Sequence, residues 1–411
     1  MFPLAGMVQA QEALRSVLAL DRTLEQYQRA PVDLRPDQSH LGPVQLSLGL
    51  YTGIGADDNL NLSQVNPRSD IYLRAGLNLG FSWAPTGQSE VRFATGLGYV
   101  HYVDQTRNEG LQITPDSALT YAISLDEVTV TLFDQFNYTQ DVNTDAAFAN
   151  VTSLARLENT IGARVAWNPN QWTLQAGYSH NAYVASDAGS DYLNRSSEYF
   201  FGRGGWRFAE ATGAGLETSY SVTAYRVAVR NSNHRASVGA YADWQLWPAL
   251  KLTLRGGPSF TVFDSNRATG EGSTLSSYYM GLDAAHQLTD FFSHHIGLAR
   301  DVQPGLNQGS AYIEQFTANY SISWALTRWI GLTASLTYEN GSQPLPKILP
   351  GGFTVETLEE FNRCGSGLQA SWQVTDHLTG SVNYQYWVRE SNLPGRGYTD
   401  NSVSFNLAYT F

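Results

Sequence analysis

The chain has 411 residues, of which 15% are charged and 12% aromatic, with 37 Gly, 3 Met, 1 Cys and a formal net charge of -12. No run reaches the ~18 apolar residues of a membrane helix, and the composition is too aromatic and too poor in charge for a disordered chain. The acidic balance opposes nucleic acid as a partner, since phosphate binding needs a surplus of Lys and Arg on one face.

Residues 1–10 end in Val8-Gln9-Ala10, the small-x-small shape of a signal peptidase site without the basic start and full apolar stretch of an intact signal. They read as the remnant of an export signal. Within 11–40, Leu14, Val17, Leu18, Leu24 and Tyr27 recur at helical spacing, and Pro31 and Pro36 end the pattern. A short amphipathic helix and linker are expected there, packed on the rest of the chain, plugging it or serving as a handle for a partner.

From residue 41 to 411 the period is two. Val44, Leu46, Leu48 and Leu50 alternate with Gln45, Ser47, Gly49 and Tyr51, and Ile330, Leu332, Ala334 and Leu336 alternate with Gly331, Thr333, Ser335 and Thr337. Each segment is a strand with one apolar face and one polar or small one. Short turns fall near 84–89, 125–127, 168–170, 209–213, 247–249, 288–291, 326–328 and 374–377. Longer polar loops fall near 59–69, 104–115, 142–152, 186–194, 229–233, 264–274, 303–309, 341–359 and 391–400. These seventeen links join eighteen strands. Short links at one end and long ones at the other are the mark of a transmembrane barrel, and strands of ten to fifteen residues suffice to cross a bilayer at a tilt. The expected fold is all-β: a closed antiparallel transmembrane β-barrel of about 18 strands.

Trp83, Trp167, Trp172, Trp206, Trp244, Trp247, Trp324, Trp329 and Trp372 lie within a few residues of a short turn, and Trp387 lies toward the long loops. Indole favours the headgroup boundary, so the nine read as an interface girdle. The last strand carries apolar residues at Val403, Phe405, Leu407, Tyr409 and the terminal Phe411. That pattern resembles the C-terminal assembly signal of bacterial outer-membrane β-barrel proteins, which implies recognition by the barrel assembly machinery and a periplasmic C-terminus. The opening hairpin, Gly49-Leu50-Tyr51-Thr52-Gly53 followed by Asp57-Asp58-Asn59-Leu60-Asn61-Leu62-Ser63 and Ser69-Asp70, is similar to that of the β-barrel porin 2 type. This resemblance covers about 40 residues specifically and implies an outer-membrane barrel, sometimes linked to exopolysaccharide systems.

No catalytic constellation emerges. His234 and Ser237 fall on opposite strand faces, as do His294 and His295, and Thr375-Asp376-His377 sits in a short turn. An enzyme is therefore not expected, and neither a cofactor nor a metal. Asp57, Asp58, Asn59 and Asn61 lack the loop frame of known calcium motifs. Cys364 falls on the lipid phase as an inert thiol. Asp134 also falls on the lipid phase, with Val128, Val130, Leu132, Phe136 and Tyr138, where a carboxylate is costly unless a bulge turns it inward.

Strand phase directs Arg74, Arg92, Arg164, Arg203, Arg207, Arg255, Arg363 and Arg389 inward with Glu217, Asp243, Asp283 and Glu339. These twelve are the candidate pore-lining residues. Their arginine surplus leans the wall toward anions, unless the arginines pair with acids and merely stiffen the barrel. Inward Tyr51, Tyr72, Phe201, Tyr225, Tyr241 and Tyr279 either stack on sugars or fill space. The loop 341–359, with Pro344, Pro346 and Pro350, is the best candidate for an inward constriction. The expectation is an outer-membrane, porin-like channel for passive or weakly selective diffusion of small hydrophilic solutes. Its other partners would be outer-membrane lipid, lipopolysaccharide and further copies of the chain. An exopolysaccharide export channel and a closed structural or adhesive barrel are the alternatives.

Overall fold

A computed structural model describes residues 40–411 apart from 116, 143–144, 188, 228–231, 265–273 and 349–353. The export-signal remnant and the N-terminal helix lie outside the described residues. A two-residue bridge at His40–Leu41 pairs with Val44 and Gln45, and the wall begins there.

Strands β1 (Val44–Asp57), β2 (Asp70–Thr86) and β3 (Ser89–Tyr102) lead to β4, which comes in two pieces, Gly110–Ile113 and Ala118–Leu125. There follow β5 (Val128–Thr139), β6 (Arg156–Trp167), β7 (Trp172–Ala185), β8 (Arg195–Ala209), β9 (Thr212–Tyr225), β10 (Asn233–Trp247) and β11 (Leu250–Phe263). The remainder are β12 (Thr274–Thr289), β13 (Phe292–Pro304), β14 (Tyr312–Ala325), β15 (Ile330–Ile348), β16 (Thr354–Gln373), β17 (Leu378–Ser391) and β18 (Tyr398–Thr410). Each strand is antiparallel to the next, and β18 returns to β1 from Gly49↔Thr410 to Asp57↔Ser402. The sheet is thus closed with eighteen strands, and pairing the last strand with the first is what lets a sheet cross hydrocarbon.

Eight links of two to four residues gather at one end and nine of five to sixteen at the other. Two of the short turns use a left-handed residue, Asp126 at φ 49° and Asn170 at φ 52°, side chains that tolerate that region. The loop expected over 104–115 is partly strand, because Gly110–Ile113 pairs with Leu97–Val100. The larger correction is at 341–359. There β15 and β16 stay paired as far as Ile348↔Thr354, so this stretch is a hairpin and not an inward loop. Its prolines are tolerated because β14 pairs with β15 only as far as Ser342. Beyond that point one edge of β15 has no neighbour to receive an amide, and Pro344 and Pro346 withdraw nothing from the ladder.

The alternation sorts side chains as expected. Leu50, Ile54, Leu216, Leu254 and Leu368 project outward and are exposed, Leu216 at 68%. An apolar surface of this extent encircling a barrel is a membrane-facing one. Eight of the nine girdle tryptophans are exposed on it, and Trp372 packs outward against Phe405 with ring centroids 6.0 Å apart. Trp387 is buried in the lumen. Toward the loop end a second belt appears that the sequence pattern had not disclosed. Tyr99, Tyr178, Tyr220, Tyr278, Tyr338 and Tyr384 are all exposed outward. Five of them hydrogen-bond through the hydroxyl with polar groups: Glu109 (3.2 Å), Glu198 (2.5 Å), His234 (2.8 Å), Asn362 (2.8 Å) and Asn401 (2.8 Å). Tyr278 lies under the Arg300 guanidinium at 3.9 Å. Ring in lipid and hydroxyl among polar groups is the posture of an interfacial tyrosine.

Asp134 keeps its outward phase, for neither β4–β5 nor β5–β6 shifts register around it. The Asn159 side-chain amide donates to its carboxylate at 2.5 Å, which satisfies one oxygen without turning it inward. Cys364 is likewise exposed on the outer face.

The lipid-facing assignment has a direct test. Leu216→Arg is expected to cost about 2–4 kcal/mol if the residue sits at mid-membrane, read by chemical denaturation of the protein folded into lipid vesicles. Were Leu216 facing water, the same change would stay within about 0.5 kcal/mol.

Candidate functional site

The lumen carries the polar inventory. Of the twelve candidate pore-lining residues, the structure joins several into ion pairs along the wall. Arg203 meets Asp243 at 2.8 Å and lies 3.4 Å over the Tyr241 ring, while Thr253 donates to the other Asp243 oxygen at 3.0 Å. Arg363 meets Glu339 at 2.5 Å and stacks 4.1 Å from the Trp387 ring centroid. Arg92 meets Glu90 at 2.5 Å. Glu217 accepts from the Tyr279 hydroxyl at 2.9 Å, and Asp283 pairs with His295 at 2.7 Å. Arg74 is held by the Asn406 side-chain oxygen at 2.8 Å, across the seam of closure. Arg207 donates to the Asn170 carbonyl. Arg164 and Arg255 also sit on inward phases.

Inward tyrosines reach over glycines two strands away. A methyl on Gly205 would overlap the Tyr241 hydroxyl, and one on Gly239 that of Tyr279. These glycines are required by close approach, and the rings above them are part of the wall.

The narrowing lies at the loop end. The β5–β6 link, expected as a polar outer loop over 142–152, turns into the bore. Ala146 and Ala147 are fully buried, packed with Ile313 and Phe361. Phe148, Ala149 and Leu154 join Leu62, Tyr183, Leu193, Leu306, Trp387 and Tyr398 in one apolar cluster. Arg389 of β17 donates through Nε to the Ala146 carbonyl at 2.7 Å. Arg396 and Asn307 reach the Ala147 carbonyl at 3.1 and 3.0 Å. Asn150 donates to the Leu62 carbonyl at 2.9 Å and, through its side chain, to that of Gly395 at 2.9 Å. Since β17 stands seven strands from β6 by the shorter way round a closed ring of eighteen, the segment crosses the bore to the far wall.

One carboxylate organises this anchorage. Glu359 takes Arg389 at 2.9 Å and Arg396 at 2.8 Å on one oxygen, which also accepts from Ser391 at 2.7 Å. Its other oxygen accepts from Gln343 at 2.8 Å. Arg389 faces inward as its strand phase predicts, yet it is an anchor with no exposed side-chain surface and does not line the pore. Arg396, Glu359, Arg156, Arg195 and Arg235 were not among the expected lumen residues. Arg156 and Arg195 open strands, where alternation is hardest to read, and Arg235 escaped although it shares the inward phase of Ser237.

Asp57, Asp58 and Asp400 bring three carboxylates within 4.8 Å at the mouth. Asp57 accepts from the Asn59 amide at 2.8 Å and Asp58 from the Asn401 amide and side chain at 2.7 and 2.8 Å. These bonds tie the β1–β2 link to β18.

The class this geometry defines is a closed outer-membrane-type β-barrel with an apolar exterior, a polar lumen and a loop folded across its mouth. No family model matches the chain, and no curated protein sequence does. Solved structures similar to it include OpdO from Pseudomonas aeruginosa, at 14% identity and TM-score 0.48 over 90% of this chain and 97% of that one. OccK8 (OprE) and OccK5 (OpdH) of the same organism are 15% and 11% identical, both at TM-score 0.47 over 90% of this chain and 98% of theirs.

Proposed function

We propose that this chain is an outer-membrane channel through which small hydrophilic solutes diffuse. One observation carries the reading: an eighteen-strand wall closed on itself, greasy outside and charged inside. A barrel of that size encloses more space than its own wall side chains fill, and the inward 145–155 segment narrows it at one end. The C-terminal strand signature supports a periplasmic short-turn end, with the inward segment at the outer mouth. His234 and Ser237 sit on opposite sides of the wall.

Selectivity is weak on this reading. Arg92, Arg203, Arg363 and Arg389 each have a carboxylate in contact, which cancels most of the field that unpaired arginines would project into the bore. The reading favours stiffening of the wall over strong anion steering. Purified protein in a planar bilayer is expected to give stepwise conductance with a small reversal potential in a salt gradient. A silent bilayer would overturn the channel and favour the sealed structural barrel, a reading to which the interlocked mouth lends some support.

A further inference from the structure

Below the mouth, the faces of β7 to β11, the loop-side ends of β13 and β14 and Ala311 between them enclose a recess in the lumen wall. Its side chains are unlike the ion-paired wall around it. Of seventeen lining residues, five are serines and two threonines, joined by Asn181, Asn233 and Gln303. The hydroxyls run from strand to strand: Ser197 and Thr223 are 2.9 Å apart, and Ser219 and Ser237 are 2.6 Å apart. Tyr199 and Phe263 add aromatic surface, and Phe263 faces Tyr312 with ring centroids 5.9 Å apart. Gln303, Pro304 and Ala311 close the recess on the loop side.

One charged side chain lines it, Arg235, and that guanidinium is taken up by the buried Asp301 carboxylate and the Val302 carbonyl at 2.5 Å. The site therefore offers no net charge to an ion. What it offers is hydroxyls and amides that both donate and accept, beside aromatic surface. A carboxylate or phosphate wants donors only, and a metal ion acceptors only. A ligand that needs both roles many times over, with C–H faces for the rings to cover, is a polyhydroxylated ring.

We propose that this recess is a binding site for a neutral saccharide unit. The proposal deepens the channel reading and rests on it for how the sugar arrives, but binding can be measured without conduction. The full chain in detergent micelles is titrated calorimetrically with maltotriose and, separately, with sodium glucuronate. Saturable binding of maltotriose in preference to glucuronate is expected. Ser221→Trp, which fills the recess, should abolish it. Thr223→Val keeps the side-chain shape while removing one hydroxyl, and should weaken it about fivefold, one hydrogen bond's worth. Thr223→Val serves as the decisive variant if Ser221→Trp does not fold, as judged by heat-modifiable gel mobility.

Preference for glucuronate, or maltotriose binding that neither variant alters, would overturn the saccharide site. Absence of maltotriose binding to a protein that conducts in a bilayer would do the same and leave the channel standing. Binding by a protein that is silent in the bilayer would uphold the recess and remove the channel.

Discussion

Replacing Asp145–Val151 with a short Gly-Ser bridge is expected to raise single-channel conductance at least about threefold, because conduction is set by the narrowest part of a pore and what lines it. The segment lies across the bore and is held at both faces. Ala146 and Ala147 sit against Ile313 and Phe361, and Phe148 and Ala149 against the apolar cluster around Trp387 and Tyr398. Removing it opens the cross-section without disturbing the wall, since β5 and β6 remain paired from Val128↔Trp167 to Thr139↔Arg156. A bilayer recording of the shortened protein beside the intact one checks this. Equal conductance would place the limiting constriction elsewhere. The hairpin at 341–359, the constriction favoured from sequence, should give no comparable gain when its tip is trimmed, as its arms are wall strands.

The contrast between these two segments shows what local pattern conveys. The wall was legible because a two-residue period is enforced at every position by lipid on one side and a polar lumen on the other. Leu50, Ile54, Leu216 and Leu368 had to fall outward, and the phase of Arg203 or Glu339 followed from theirs. The eight short turns were legible for the same reason, as interruptions of that period beside tryptophans. The inward segment has no such local cause. Its Asp-Ala-Ala-Phe-Ala-Asn sequence is short of bulk and free of period, and its place is decided by Arg389, 243 residues away. At 341–359 the three prolines suggested a break, while the deciding fact, an unpaired edge beyond Ser342, belongs to the register with β14. The tyrosine belt was hidden because a strand tyrosine suits either face, and only the hydroxyl partners mark the boundary. Among the lumen residues, phase located Arg203 with Asp243 and Arg363 with Glu339, but not Glu90 beside Arg92 or Glu359 beside Arg389. Arg389 in particular faces inward as expected and yet serves the loop.

The anchorage of that loop yields the second large effect. Glu359→Gln keeps the shape and most hydrogen-bonding capacity of the side chain but removes the single negative charge shared by Arg389 and Arg396. Arg389 is wholly buried, stacked 4.5 Å from the Phe361 ring centroid, and it cannot recover its charge solvation in place. Breaking a buried pair from one side costs about 3–5 kcal/mol, and here the cost falls on the mouth, because the wall ladders of β16 and β17 do not depend on it. Local opening is therefore expected before global unfolding. Hydrogen exchange at Ala147 and Asn150 should accelerate, proteases should cut within 145–155 and 392–397, and bilayer currents should flicker toward the level of the loop-deleted protein. Glu360→Gln, one residue on and outward-facing, should shift stability by no more than about 0.5 kcal/mol and leave the exchange pattern unchanged. If Glu359→Gln behaves like Glu360→Gln, apolar contacts around Phe148 and Leu62 hold the segment, and the ion cluster is incidental to it.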